Sequence, residues 1–180
     1  MSLLSVITAP DPRLKEISAP VERVEEALRR LMDDMLETMY QAPGIGLAAP
    51  QVGVLKRVIV LDVSKEGEER RPYRMVNPEL LWVSDEDAVY EEGCLSLPEH
   101  YAEVARPAAI RVRYLDEHGQ ARKLAADGLL ATCIQHEMDH LDGILFVDHL
   151  SALKRNMILR KLLKAKKSGK APAPDPAHVL

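Results

Sequence analysis

His136-Glu137-Met138-Asp139-His140 sets two imidazoles four residues apart, with a carboxylate directly after the first. On an α-helix, residues i and i+4 share one face and are separated by a rise of roughly 6 Å, so both rings can converge on one ion. This is the H-E-x-x-H arrangement of metal-dependent hydrolysis. The plain alternative for five such residues alone is a solvated helix surface that happens to carry two histidines and a Glu.

A catalytic site of this type takes three protein ligands and keeps one position open for water. Cys133 is on the same helix, but it is seven residues from His140, a rise of roughly 10 Å against metal–ligand bonds of about 2 Å. It therefore reads as a small core residue. Cys94 lies in Glu92-Gly93-Cys94-Leu95-Ser96-Leu97-Pro98. There Gly93 permits an unusual backbone angle and Pro98 limits the strand that follows, so a thiolate held on this turn can reach a helix from outside. The expected site is Cys94, His136 and His140 around one divalent metal. Such an ion lowers the pKa of a coordinated water towards neutrality. Glu137, adjacent to a ligand, is placed to accept that water's proton and pass it to a departing amine.

The elements that must position these groups follow from periodicity. Residues 127–141 form the metal helix, with Leu129, Leu130, Ile134 and Leu141 apolar, Asp127 at the start and Gly143 just past the end. Residues 21–40 read as an amphipathic helix, because Val21, Val24, Leu28, Leu31, Met35, Leu36 and Met39 recur at three- and four-residue intervals. Residues 44–51 are expected as a loop broken by Gly44, Gly46 and Pro50. The β-branched run at 57–63 predicts a buried strand, with shorter strands at 74–76, 80–83, 88–91 and 110–115. Asp116-Glu117-His118-Gly119 predicts a hairpin turn into 121–125. A last helix spans 151–167, with Ser151 as N-cap. Ile158, Leu159, Leu162 and Leu163 fall on one side, and Arg160, Lys161, Lys164 and Lys167 on the other. Strands in sequence flanked by helices predict an α+β fold of mostly antiparallel sheets around the metal helix. The expected organisation is a single catalytic domain over 1–167 and a disordered Lys/Pro/Ala-rich tail over 168–180.

Three segments resemble the three motifs of the bacterial peptide deformylase family, in the same order and spacing. They are Gly44-Ile45-Gly46-Leu47-Ala48-Ala49-Pro50-Gln51, Glu92-Gly93-Cys94-Leu95-Ser96 and Gln135-His136-Glu137-Met138-Asp139-His140-Leu141. The similarity runs from the N-terminus to about residue 164. The resemblance implies the deformylase fold and removal of formyl from the formylmethionyl end of nascent peptides. It also implies oxyanion donors at the Gln51 side-chain amide and the Leu95 N–H. It implies peptide pairing along Ile45-Gly46 and near Gly93, and a methionine pocket at Ile45, Tyr90, Glu92, Leu129, Thr132, Cys133 and His136. Fe2+ is the implied cofactor; Zn2+, Ni2+ and Co2+ suit the same imidazole and thiolate donors. Tyr101 stands where many members have Arg, and Thr132 where an aliphatic residue is frequent.

Composition agrees with this reading. At 180 residues the chain suits one domain with a full core, and its two cysteines do not make a disulfide framework. The N-terminus has no basic signal-like region, and no apolar run approaches the ~20 residues that span a bilayer, so a cytoplasmic location is expected. The net charge of −4 conceals a division: from Ser151 onward the chain carries +7, and the remainder −11. The basic end reads first as a solvated helix face. The resemblance adds docking on ribosomal RNA. Two rival functions share part of the pattern. A zincin-like peptidase shares the helix but does not usually have a thiolate ligand, and a paralogue with a purely structural metal would not need Glu137 or Gln51.

Overall fold

The computed structural model describes residues 1–169 and Leu180. Helix α1 (Glu26–Gln41) is followed by seven strands: β1 (Gly46–Ala48), β2 (Val58–Leu61), β3 (Tyr73–Val83), β4 (Asp87–Cys94), β5 (Leu97–Pro107), β6 (Ala109–Leu115) and β7 (Ala121–Asp127). Helices α2 (Gly128–Leu141) and α3 (Ala152–Lys167) complete the order, with short 3₁₀ turns at Pro12–Lys15, Ala49–Val52 and Phe146–His149. β1, β2, β3, β6 and β7 form one antiparallel sheet in that order, and β4 pairs with β5 in a separate hairpin. This is the expected α+β class.

Alternation along β2 explains how one strand serves two layers. Ile59 and Leu61, with Met75 of β3 and Ile110 and Val112 of β6, pack against Ala131, Cys133, Ile134 and Leu141 of α2. Val58, Val60 and Val76 turn the other way, onto Leu28, Met32, Met35, Leu36 and Met39 of α1. All four β2 residues are therefore buried, as a continuous β-branched run requires when both faces are covered. A third cluster joins the hairpin to the C-terminal elements through Leu97, Val104, Phe146, Val147 and Leu162.

Several boundaries differ from the expectations. α1 begins at Glu26 and not at 21, and Val21 is tied outside the helix by Asn77, whose side chain accepts from the Val21 N–H and donates to its carbonyl, both at 2.8 Å. The 74–76 and 80–83 segments are one strand with register shifts. The loop over 44–51 contains β1 and a 3₁₀ turn, since pairing with β2 orders it. β5 is longer than a strand limited by Pro98 was expected to be: Pro98 sits near its start and does not curtail its eleven residues. Gly93 lies inside β4 and is not left-handed; the irregularity between Glu92 and Cys94 supplies the bend. Asp127 precedes α2 without a side-chain cap bond, whereas Ser151 does accept from the Lys154 N–H at 3.3 Å. On α3, Leu162 is buried and Ile158 and Leu159 pack on the core, but Leu163 is exposed. The expected disordered tail falls mostly outside the described residues; Leu180 is buried with the α2 cluster.

Candidate active site

The α2 helix brings His136 and His140 onto the face that meets the end of β4. There the Cys94 sulfur and one nitrogen of each histidine lie within 4.8 Å of one another, all three residues buried. Cys94 Sγ is 3.4 Å from His140 Nε2. His136 turns Nδ1 to Glu92 Oε1 at 2.8 Å, leaving Nε2 buried and without a partner. A soft sulfur donor beside two imidazoles, one with an orphaned nitrogen, fits a divalent transition metal. Cys133 is not among these donors: burial raises its thiol well above the ordinary value, and its Sγ lies 3.7 Å from the Ile45 carbonyl.

Protonation follows the same logic. Burial works against charge on His136, but the neighbouring Cys94 sulfur and the hydrogen bond to Glu92 outweigh it and push the ring up to about 10. His140 moves the other way, well below the ordinary value, through burial and the neighbouring His136. Its lone pair therefore stays available. Burial pushes Glu137 up to about 7, and the nearby charge of His136 works against that rise. Both Glu137 oxygens are buried with no hydrogen-bond partner. A buried carboxylate left without donors is costly unless it serves a ligand or reaction.

Gln51 is oriented by its neighbours. Its Oε1 accepts from the Ala48 N–H at 2.8 Å, which turns Nε2 towards Cys94 Sγ at 3.4 Å and Ser96 Oγ at 3.1 Å. Leu95, directly after Cys94, packs its side chain against Gly44, where an added Cβ would stand 3.0 Å from Leu95 Cδ1. Gly46 is bare for a related reason: a Cβ there would collide with the Glu137 carboxylate.

The expected pocket residues gather around α2 and β4. Thr132 and Cys133 are buried on α2, Leu129 is partly exposed at its start, and the Tyr90 hydroxyl would lie 3.8 Å from a Cβ at Gly128. Ile45 precedes β1, an edge strand with one side of its backbone unpaired by sheet neighbours. Glu92 is fully buried and directs both oxygens to Arg106, at 2.7 and 2.9 Å, and one of them also to His136. Sequence reasoning missed Arg106, Ser96 and the role of Asp139. Glu92 and Asp139 were visible as acids beside ligands, but no local pattern points from either to an arginine on another strand.

The fold and this cluster fit the class of metal-dependent hydrolases: Cys94, His136 and His140 could hold one metal ion, and an unpartnered buried carboxylate lies on the same helix as the histidines. Residues 3–156 match the family model described as polypeptide deformylase. A peptide deformylase of Phenylobacterium zucineum is 58% identical over 93% of this chain and 99% of its own length, and one of Rhizobium meliloti is 57% identical over 96% and 99%. Among solved structures, the Ehrlichia chaffeensis peptide deformylase in complex with actinonin superposes with a TM-score of 0.89 at 44% identity, covering 93% of this chain and 99% of that one. The chain belongs to the polypeptide deformylase family. It is a hydrolase that removes the N-formyl group from the formylmethionine of newly synthesised polypeptides, releasing formate.

Proposed function

We propose that Cys94, His136 and His140 hold the metal, that Glu137 is the proton carrier, and that Gln51 and the Leu95 N–H stabilise the oxyanion. The observation that carries this reading is the juxtaposition of three convergent donors with a buried, unpartnered carboxylate. Once bound, the cation supplies Lewis-acid polarisation and a more acidic water. Glu137 accepts the proton of the attacking water at a free carboxylate oxygen. As the formyl C–N bond breaks, it returns that proton to the departing amine nitrogen, and formate leaves. Gln51 is suited to the oxyanion because its carbonyl end is already committed to Ala48, so the amide presents N–H groups to the site without competing as a ligand.

The formylated peptide adds alongside Ile45 and Gly46 of the sheet edge and passes Gly93, reading main chain and tolerating most sequences. The methionine side chain enters among Ile45, Tyr90, Glu92, Leu129, Thr132 and Cys133 beside His136. Fe2+ is the proposed cellular metal, with Zn2+, Ni2+ and Co2+ as substitutes suited to the same donors. Residues 1–167 act as one catalytic domain. The exposed Arg160, Lys161, Lys164 and Lys167 of α3 are suited to ribosomal RNA. No described helix is long and apolar enough to cross a membrane, and the proposed location is the cytoplasm.

The test is formate release from formyl-Met-Ala by anaerobically prepared, Fe2+-loaded protein, with acetyl-Met-Ala as control. Glu137→Ala is expected to keep the metal and lose about 10²–10⁴-fold in rate. A metal-replete, fully active Glu137→Ala protein refutes the assignment.

A further inference from the structure

The metal ligands arrive on two separate elements, Cys94 at the end of the β4–β5 hairpin and the histidines on α2, and one buried guanidinium ties these elements together. Arg106 of β5, with a side chain 4% exposed, donates from Nε and Nη2 to the two oxygens of Glu92 at 2.7 and 2.9 Å. Its Nη1 donates to Asp139 Oδ2 at 2.8 Å. Glu92 is two residues before Cys94 on β4 and also holds His136 Nδ1 at 2.8 Å. Asp139 is the residue before His140, and its Oδ2 is 2.8 Å from His149 Nε2 on the 3₁₀ turn Phe146–His149. A continuous chain of close polar contacts thus runs from half-exposed His149 through Asp139, Arg106 and Glu92 to His136.

We infer that Arg106 is a positioning residue: it staples the Cys94 hairpin to the histidine helix and thereby sets the spacing of the three metal ligands, with His149 as the outer clamp on Asp139. Arginine is the side chain that can do this. Its planar fork grips Glu92 through two parallel bonds while the third nitrogen reaches Asp139, a geometry that a lysine's single ammonium does not reproduce. Buried ion networks of this kind contribute less to net stability than to fixing one arrangement. Here the arrangement they fix is that of Glu92 and Asp139, each within two residues of a metal ligand in the chain. Partners one step removed from a metal commonly govern how well the ligands are presented to it.

The inference rests on the Cys94-His136-His140 reading, and its test separates the two. Co2+ is loaded into the wild type, Arg106→Lys, Arg106→Met and His149→Phe proteins. The readouts are the thiolate charge-transfer and d–d absorption, the rate of Co2+ loss to excess chelator, and the thermal stability of the metal-free form. In the wild type we expect one Co2+ per chain with a thiolate band. In Arg106→Met we expect altered d–d bands and Co2+ loss faster by about 10–100-fold. Arg106→Lys should be intermediate and His149→Phe a smaller step in the same direction. If Arg106→Met fails to fold, Arg106→Lys carries the test. A folded Arg106 variant with wild-type spectrum and wild-type Co2+ residence overturns the staple, even where its metal-free form melts earlier, because that pattern is an ordinary stabilising ion pair. A wild-type protein that binds Co2+ without a thiolate band overturns the ligand reading itself.

Discussion

Gly46→Ala tests whether the position of Glu137, and not only its presence, limits the reaction. An alanine Cβ at this position would stand 2.8 Å from Glu137 Cδ and 2.9 Å from Cγ, and would overlap the carboxylate oxygen Oε1. Ordinary contact begins near 3.4 Å, so either β1 or the Glu137 side chain must retreat by roughly half an ångström to one ångström. β1 is paired to β2 over all three of its residues, Gly46, Leu47 and Ala48. Glu137 has no hydrogen bond to hold its carboxylate. The side chain is therefore the part that gives. A misplacement of about 1 Å in a reacting group can cost about 10²-fold, and overpacking a close-fitted site costs about 1–3 kcal/mol of stability. The expected variant binds one cation per chain, melts a few degrees lower, and loses about 10–100-fold in kcat on formyl-Met-Ala. Metal content by elemental analysis and formate release on the same preparation give the answer. A metal-replete Gly46→Ala protein with kcat within about twofold of wild type would show that the Glu137 placement described here does not govern the chemistry.

Gly143 has φ +70°, and a Cβ there would run into the Lys15 carbonyl, so Gly143→Ala should destabilise the fold by about 1–3 kcal/mol, read as a lower urea midpoint. Asp62 is buried, which works against its charge, yet hydrogen bonds from Ser64, Tyr40 and the Arg71 N–H hold its carboxyl below the ordinary value. A depressed folded pKa means that the unfolded chain binds more protons in acid. The contribution of Asp62 is thus present above about pH 4 and lost as pH falls through the folded value. The stability gap between wild type and Asp62→Asn should narrow as pH falls from about 6 to about 3, and a constant gap across urea melts in that range would refute the linkage. Removing the residues after Leu163 should weaken cosedimentation with ribosomes at low salt, because Lys164, Lys166 and Lys167 go with them. Unchanged cosedimentation would leave the basic face of α3 as simply solvated.

The chemistry of this protein was legible wherever it is encoded over a few residues. His136 and His140 are ligand-spaced because a helix returns to the same face after four residues, and Glu137 is next to the site by adjacency alone. The helices α2 and α3 and the β6–β7 hairpin follow from local periodicity and turn chemistry; Asp116 accepts from the His118 and Gln120 N–H groups at the predicted turn. What tertiary structure decided is non-local. β5 carries Pro98, Glu99, His100 and Glu103 in a stretch with little apolar alternation, and it is a strand because β4 offers it a partner. Gly46 reads as a loop breaker in the sequence, but its missing side chain makes room for Glu137 from ninety-one positions away. Glu92 is expected from the resemblance as a pocket residue, and that its oxygens also hold Arg106 and His136 is visible only in the fold. Periodicity reports which face of an element is apolar, because that depends on neighbours within one or two turns. Which buried charge meets which is fixed only when separate elements close on one another, and no short stretch of sequence records that distance.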